Sequence, residues 1–309
     1  MIITSMKYVS VFIVACIASS LIFGIARTVR AQQLEPRAYS PSPVGTNFLG
    51  LGYLYSSGGL SLDPTLPVTN VHARVSTFAP YYGRTFDFFG HQASVTATTS
   101  YNWYTAYGDV NETSRSIDRS GFGDPALRFA VNLIGGPVLK PQEFFQHKPE
   151  TILGASLVIV APLGQYDPSK AINLGTNRWS FKPELGLSQP VGNWAFEVYA
   201  GVWLFTGNDN YFGGQVRRQD PLQSYQAHVI YNFFAHMWTA LDFTYYVGGA
   251  TMVNGNHNND RQDNTRIGLT FSAPVTQNQS LKLIWSNGAT TRIGSNFETL
   301  GVFWQWTWF

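Results

Sequence analysis

Apolar and polar residues alternate with a period of two along most of this chain, and segments with the 3.6-residue period of a helix are almost absent. In residues 126–133, for example, Leu127, Phe129 and Val131 share one face, while polar or small side chains occupy the other. About twelve segments of this kind, each roughly ten residues long, follow one another up to the C-terminus. The pattern therefore predicts an all-β chain of about twelve strands.

The connections between these segments alternate in length. The long connections are expected at residues 57–68, 104–123, 163–177, 206–221, 248–262 and 287–295. The short connections are expected at residues 189–193, 234–236 and 273–279, whereas 134–149 is longer than the alternation predicts. Long extracellular loops and short periplasmic turns are typical of transmembrane β-barrels. A soluble β-sandwich rarely keeps such an asymmetry, although the pattern alone does not exclude it.

Charged residues within the predicted strands fall on the polar face of the alternation. They are Arg74, Arg128, Lys182, Glu184, Glu197, Asp242, Arg266 and Lys282. A cation that faced lipid at mid-depth would cost about 2–4 kcal/mol, so this one-sided placement is expected of a barrel. Glu298 departs from the rule, but it lies at the start of the last strand, near the predicted interface. We therefore predict a single antiparallel transmembrane β-barrel over residues 46–309, with the eight charges lining its lumen.

Composition agrees with a barrel. Charged residues make up 12% of the chain and aromatic residues 15%, which suits a wall that faces lipid better than a surface that faces water. Mean hydropathy is −0.07, which excludes a bundle of membrane helices. Aromatic residues near strand ends, such as Trp304, Trp306 and Trp308, indicate interfacial girdles. The alternative is that they form the core of a large soluble sheet.

The N-terminus has the features of an export signal. Lys7 precedes an uncharged run, and Val29-Arg30-Ala31 offers small residues for cleavage, so residues 1–31 are predicted to be a signal peptide cut after Ala31. Arg30 behind the apolar run leaves an uncleaved anchor helix as an alternative. Export together with the predicted barrel predicts that the mature chain lies in the cell outer membrane. Residues 32–45 are rich in proline and should be extended, and the pattern leaves open whether they enter the lumen.

Removal of the leader changes both charge and cysteine content. The net charge of +2 falls to about −1, which gives no reason to expect nucleic acid as a partner. Cys16 is the single cysteine and lies in the leader. It is a small apolar residue there, with lipidation as the alternative. The mature chain can therefore hold neither a disulfide nor a thiolate-bound metal.

Sequence motifs for catalysis or cofactor binding are missing. The chain has no phosphate-binding Gly-Lys-Ser/Thr loop, no His-Glu-x-x-His and no Gly-x-Ser-x-Gly elbow. His72 and His228 fall on the predicted lumen face, whereas a lipid enzyme needs its base near the lipid boundary. The Asn- and Asp-rich residues 254–263 could offer oxygen ligands to a hard cation, but without the twelve-residue spacing a solvated loop is favoured. No enzyme activity, cofactor or metal is predicted.

Three blocks of sequence resemble one bacterial family. They are residues 34–48, Gly123-Asp124-Pro125 with the following Arg128, and residues 173–184. Together they are similar to the outer-membrane transporters named for the meta-pathway of phenol degradation, a name that records gene neighbourhood rather than a cargo. Phe309 likewise resembles the terminal aromatic that the outer-membrane assembly machinery recognises. However, Gln305 and Thr307 share its face, so the last strand either bulges or carries aromatic residues on both faces.

The resemblance and the charged lumen together imply passage of small solutes, aromatic or hydrophobic if the family name reflects a cargo. The expected partners are outer-membrane lipid, the assembly machinery through Phe309, and the solute. Two alternatives remain. The lumen charges could form a neutralising network that only fills the barrel. The barrel could also be closed and structural or adhesive, with the loops at 104–123 and 206–221 binding an external partner.

Overall fold

The computed structural model describes residues 34–59, 68–110, 113–144, 146–170, 172–234, 236–294 and 296–309. The predicted signal peptide and its cleavage site lie outside these residues. Apart from the helical turn α1 (Pro141–Phe144) and a 3-10 turn at Phe212–Gly214, the regular structure of the described part is β-strand. No helix in that part is both long enough and apolar enough to cross a membrane.

The strands of the described residues are numbered in chain order. They are β1 (Asn47–Gly59), β2 (Val68–Phe88), β3 (His91–Thr98), β4 (Tyr101–Val110), β5 (Thr113–Phe122), β6 (Ala126–Ile134), β7 (Ile152–Val160), β8 (Ser180–Val191), β9 (Trp194–Phe205), β10 (Asn208–Tyr211), β11 (Gln215–Gln219), β12 (Leu222–Phe234), β13 (Met237–Gly248), β14 (Thr251–Val253), β15 (Asn256–His257), β16 (Gln262–Pro274), β17 (Gln279–Thr291) and β18 (Glu298–Trp308).

A closed antiparallel barrel forms from β1, β2, β3, β6, β7, β8, β9, β12, β13, β16, β17 and β18. Within the barrel each of these strands pairs with two neighbours, β2 also pairs with β4, and β1 closes the cycle by pairing with both β18 and β2. Closure leaves no edge strand among these twelve, which a membrane-spanning sheet requires. The prediction of about twelve antiparallel strands in one barrel is confirmed.

The outer wall is apolar. Outward side chains of neighbouring strands, such as Val198, Leu241 and Leu269, are between 50% and 58% exposed. Aromatic pairs flank this belt, with Trp194 against Tyr231 near the short turns and Tyr225 against Tyr245 towards the long connections. Such an exposed apolar surface, with aromatic residues at both limits, is the expected exterior of a barrel in lipid.

Two predicted loops contain strands. Residues 104–123 belong largely to β4 and β5, which pair with each other and continue the β3 and β6 side of the barrel. Residues 206–221 contain β10 and β11, which join β14 and β15 in a separate four-stranded sheet. The sequence pattern did not predict these strands, because they contain turn-forming and polar residues. Beyond the membrane, a strand does not need a row of apolar side chains facing lipid.

The barrel wall is interrupted at one level. Residues 99–100 separate β3 from β4, and residues 123–125 separate β5 from β6. The carboxylate of Asp124 accepts hydrogen bonds from the backbone N–H groups of Gly164 (2.9 Å) and Thr176 (2.8 Å). The connection between β7 and β8 is thereby fastened to the interruption in the wall.

The prediction that Arg74 faces the lumen is wrong. Cross-strand partners share a face of a sheet, and Arg74 is exposed and pairs with Ser57 on the outer side. The inner side at this height is taken by Val71 and Ala73, which pack against Phe297. β2 has 21 residues, about twice the roughly ten needed to cross a membrane. Arg74 lies in the half of β2 away from the short turn, where an outward charge meets no lipid core.

The last strand is regular. Its register with β1 runs without a shift from Ser57 opposite Glu298 to Asn47 opposite Trp308. Trp304 and Trp306 therefore point outward, while Gln305 points inward and accepts a hydrogen bond from the Tyr81 hydroxyl. Of the two explanations for the phase of the C-terminus, the bulge is excluded for this pairing.

Candidate functional site: the occupied lumen

The N-terminal segment, residues 34–45, lies inside the barrel. Its Tyr39 side chain is only 2% exposed, although it belongs to no strand. At one end, the Leu34 side chain packs against Gly268 of the wall and fills the space that a Cβ at this position would need. At the other end, the Gly45 N–H donates to the Thr85 carbonyl (3.1 Å) just before β1 begins. The question that the sequence left open is settled, since this segment fills part of the lumen.

The segment carries an acid and a base, and polar contacts anchor both residues to the wall. A carboxylate oxygen of Glu35 lies 4.0 Å from the Lys182 ammonium, which lies 3.1 Å from Glu184. The Arg37 backbone N–H donates to Glu197 (2.7 Å), and its guanidinium lies 5.0 Å from the centre of a wall indole ring. Burial alone would raise the pKa of Glu35. Lys182 and other nearby cations lower it by more than burial raises it, so the pKa lies below its ordinary value.

The Tyr39 ring occupies a notch between β7 and β8. Gly154 and Gly186 are opposite each other in the register of these strands. A Cβ on Gly154 would lie 2.1 Å from a Tyr39 ring carbon, and a Cβ on Gly186 would lie 2.2 Å from another. Only glycine at both positions leaves room for the ring, so the wall is shaped to receive it.

Polar groups surround the rest of the ring. The Tyr39 hydroxyl donates to Glu184 Oε1 (3.2 Å) and lies 3.0 Å from Ser156 Oγ. The Arg128 guanidinium lies 5.0 Å from the centre of the ring, and Tyr199 meets its edge at 5.2 Å and 80°. Burial, with a smaller contribution from the Glu184 charge, raises the pKa of Tyr39 to about 12. The hydroxyl is therefore a neutral donor at physiological pH.

A second polar cluster lies on the next strands of the wall, β12, β13 and β16. Asp242 is fully buried, 2.6 Å from His228 Nδ1, and accepts a hydrogen bond from the Thr270 hydroxyl (2.7 Å). Nearby, the Arg266 guanidinium donates to Ser286 Oγ (2.6 Å). These side chains bond other wall residues rather than the N-terminal segment, so they brace the barrel interior.

Seven of the eight charges predicted for the lumen face inward. Arg128, Lys182, Glu184 and Glu197 contact the N-terminal segment. Asp242 and Arg266 bond other wall residues, and the Lys282 ammonium lies 5.1 Å from the Phe303 ring centre. Whether they line a solute pathway stays a prediction.

Sequence reasoning missed the centre of the site. The ring of Tyr39 and its two facing glycines were not singled out, because nothing in a linear pattern places a proline-rich segment inside a barrel. One signal was present, however. Residues 152–161 looked apolar on both faces, and the structure shows why: the inward Gly154 and Val158 face a filled lumen instead of water.

The loop with asparagine and aspartate residues has a structural use. Both carboxylate oxygens of Asp260 accept hydrogen bonds from Thr251, one from its backbone N–H (2.7 Å) and one from its hydroxyl (2.5 Å). Within the described ranges, no three His, Cys, Asp or Glu side chains are grouped so that they could hold a metal ion.

The three blocks that resemble one family meet in space. Tyr39 comes from the first block, Arg128 follows the second, and Glu184 ends the third, and Tyr39 contacts both of the others. Asp124 of the second block also bonds Thr176 of the third, as its hydroxyl donates to Asp124 at 2.7 Å. The resemblance therefore concentrates on the seat of the N-terminal segment and on the interruption in the wall.

Comparisons with known proteins agree with this architecture. The family model described as "Putative MetA-pathway of phenol degradation" matches residues 55–306. An outer membrane channel from Pseudomonas putida F1 is 18% identical, with a TM-score of 0.75 over 89% of this chain and 100% of that one. The transport unit of the Escherichia coli autotransporter AIDA-I has a TM-score of 0.52 at 9% identity, covering 89% and 93%. No curated protein sequence gives a significant match.

Proposed function

This chain belongs to the family described as "Putative MetA-pathway of phenol degradation", and from that premise we propose that it is an outer-membrane channel for small solutes. In this proposal the N-terminal segment is the gate, and aromatic or hydrophobic compounds are the solutes. The P. putida neighbour is named an outer membrane channel, which supports the same class of function and offers no support for an enzyme.

The observation that carries the proposal is the way in which the lumen is closed. Residues 34–45 are held by hydrogen bonds, an ion pair and ring contacts of Glu35, Arg37 and Tyr39, and their covalent link to the wall is the chain's own continuation into β1. Each such contact contributes about 0.5–1.5 kcal/mol net, and somewhat more where a charge takes part. A handful of them can hold a segment in place and still be released, as a gate requires.

The proposed location of this channel is the outer membrane. The apolar outer belt suits lipid, and export would be provided by the predicted signal peptide. Phe309 is 64% exposed and follows directly after β18, so it is accessible for recognition by the assembly machinery. Recognition through Phe309 remains part of the proposal.

Conductance in planar bilayers tests the channel. The full mature chain should show small or rare openings, and a variant with residues 34–45 replaced by a Gly-Ser linker of equal length should show larger and more frequent ones. Arg128→Ala and Lys182→Ala should each shift the ion preference away from anions, because they remove a positive charge from a narrow lumen. A folded linker variant that conducts nothing and takes up no solute would refute the channel.

One observation favours the alternative of a closed adhesive barrel. The four-stranded sheet of β10, β11, β14 and β15 is built outside the barrel sheet, and such a platform could bind an external partner. In that case, deletion of residues 208–219 would abolish binding of whole cells to the partner, while the linker variant would still be silent in bilayers.

A further inference from the structure

The notch that holds Tyr39 is a complete binding site for a phenol ring. Two paired glycines, Gly154 and Gly186, leave space for one flat ring. Ala130 and Ile152 belong to the same buried cluster as Tyr39 and are themselves only 5% and 4% exposed. Nothing in the conformation of residues 34–45 requires such a notch, since a smaller side chain would lie against an ordinary wall. The shape of the notch therefore matches an aromatic ring, which is the group that it binds.

The polar groups of the notch select a hydroxyl at one end of the ring. Glu184 Oε1 accepts from the Tyr39 hydroxyl, and Ser156 Oγ lies 3.0 Å from the same oxygen. An apolar ring in this place would leave the buried carboxylate oxygen without this donor, which weakens binding by roughly tenfold or more. The requirement is for a ring with a hydroxyl, not for any hydrophobic molecule.

Arg128 adds a second group that recognises the ring. Its guanidinium lies 5.0 Å from the centre of the Tyr39 ring, within the range of a cation–π contact. One of its nitrogens, Nη1, donates to the Ala38 carbonyl (3.2 Å), whereas Nε and Nη2 are buried and find no hydrogen-bond partner within the described residues. These N–H groups are available to a ligand with more oxygen atoms than tyrosine has.

We propose that this seat, formed by Gly154, Gly186, Ser156, Glu184 and Arg128, is the binding site for phenolic solutes, and that such a solute enters by displacing the Tyr39 ring. The inference rests on the proposed channel function and names its substrate class. Tyr39 then occupies the seat as an intramolecular competitor of the solute. The gate opens only when a phenolic ring displaces the Tyr39 ring.

The tether sets the concentration at which a solute competes. A side chain on a short flexible linker has an effective concentration in the millimolar range. A free phenol that makes the same contacts must therefore reach about that concentration to displace half of the Tyr39 rings. Without the tyrosine ring, the same phenol should bind to the empty seat at least tenfold more tightly.

Equilibrium binding to the full mature chain in detergent micelles tests the seat, with 4-methylphenol as the probe. We expect the Tyr39→Ala variant to bind 4-methylphenol saturably, at least tenfold more tightly than the native chain does. The same variant should bind 4-methylanisole and toluene at least tenfold more weakly than 4-methylphenol, because neither can donate a hydrogen bond to Glu184.

Matched glycine substitutions show whether the probe lies in the notch. Gly186→Ala, added to Tyr39→Ala, places a Cβ where the ring would lie and should abolish binding. Gly301→Ala, added to the same background, crowds Ile284 instead and should leave binding unchanged. Heat-modified migration on gels verifies that each variant keeps its barrel. Tyr39→Phe, a milder change, should make 4-methylphenol compete more easily than in the native chain.

The proposal is overturned if folded Tyr39→Ala binds 4-methylphenol no better than the Gly186→Ala double variant does, or if toluene binds equally well. Uptake into vesicles, measured separately, distinguishes failure of the phenol seat from failure of the channel. Saturable binding without uptake would keep the phenol seat and refute the channel. Uptake of 4-methylphenol that Gly186→Ala leaves unchanged would keep the channel and refute the seat.

Discussion

Several buried charges in this lumen are tolerated because they have a partner at short range. Asp242 is the clearest example, since it has no exposed surface and lies 2.6 Å from His228 and 2.7 Å from Thr270. Taking a carboxylate out of water is costly unless hydrogen bonds replace its hydration. The pair therefore stabilises the barrel only as long as both members are present.

Removing the acid should expose that dependence. Asp242→Ala leaves His228 buried beside an empty space, so the free energy of unfolding should fall by about 3–5 kcal/mol. Asp242→Asn keeps a carbonyl oxygen as acceptor, and its loss should be smaller, about 1–3 kcal/mol. Urea titration of the protein in lipid vesicles measures both. Equal losses in the two variants would mean that the negative charge, which both variants remove, carries the whole effect, and that neither packing nor the retained acceptor contributes.

Arg74 and Arg128 form a natural comparison of an outward with an inward arginine. Arg128→Ala removes a lumen charge and should lower the permeability of anions relative to cations by roughly fivefold, the equivalent of about 1 kcal/mol. Arg74→Ala should leave this ratio unchanged, because its side chain lies outside the barrel. Reversal potentials in a salt gradient provide the measurement. An equal shift in both variants would contradict the assignment of faces.

The error for Arg74 shows where residue patterns stop being informative. Alternation identifies two faces of a strand, but it does not say which face is inside. In the membrane, lipid decides this, and seven of the eight charges were placed correctly by that criterion. In the outer half of β2 no lipid acts, and Phe297 makes the inner face apolar instead. The Tyr39 seat was invisible for a related reason, since it depends on a segment that has no periodicity.

At the scale of elements, Asp124 joins three parts of the chain. Its carboxylate accepts from the Gly164 N–H, the Thr176 N–H and the Thr176 hydroxyl. The first two bonds satisfy backbone donors of a connection that has no strand of its own between β7 and β8. The same connection is also bonded through its backbone, for example from the Gln165 N–H to the Phe122 carbonyl (2.8 Å), so Asp124 is one of several groups that order it.

Asp124→Ala should loosen this connection without unfolding the barrel. Each lost bond to the carboxylate is worth about 1.5–3 kcal/mol, so amides of residues 163–176 should exchange with solvent at least tenfold faster. Asp118→Ala is the control, because this exposed acid accepts a single side-chain bond, from Thr105. Hydrogen exchange followed by mass spectrometry reports both. Unchanged exchange in residues 163–176 would show that packing alone holds the connection.

The elements themselves were largely predictable, apart from those beyond the membrane. Most strands between the two aromatic girdles have apolar side chains outside and mainly polar ones inside, and the sequence displays this alternation; β7 is the exception. The hairpin of β4 and β5 mixes exposed aromatic residues such as Trp103 with polar ones, and the sheet containing β10 lies outside the barrel sheet, so neither shows that alternation along its length. Their residues, such as the polar run of β11 with Arg217 and Arg218, have the composition of loops.

At the scale of the whole molecule, the barrel has a defined depth in the membrane. Leu241 pairs with Val229 and Leu269 on the outer wall. In the same pair of strands, Tyr231 lies towards the short turn and Tyr225 towards the long connections. If these aromatic residues mark the two interfaces, Leu241 is in the hydrocarbon core and Gln223 is beyond it.

A charge placed at each depth tests this arrangement. Leu241→Arg should lower the free energy of unfolding from lipid vesicles by about 2–4 kcal/mol, because the guanidinium must enter the hydrocarbon core. Gln223→Arg, on the same face but beyond Tyr225, should cost only about 0–1 kcal/mol. In detergent micelles, which adapt to the protein surface, the difference should shrink. Equal costs in vesicles would mean that the exposed apolar wall is not embedded as proposed, and the channel would lose its physical basis.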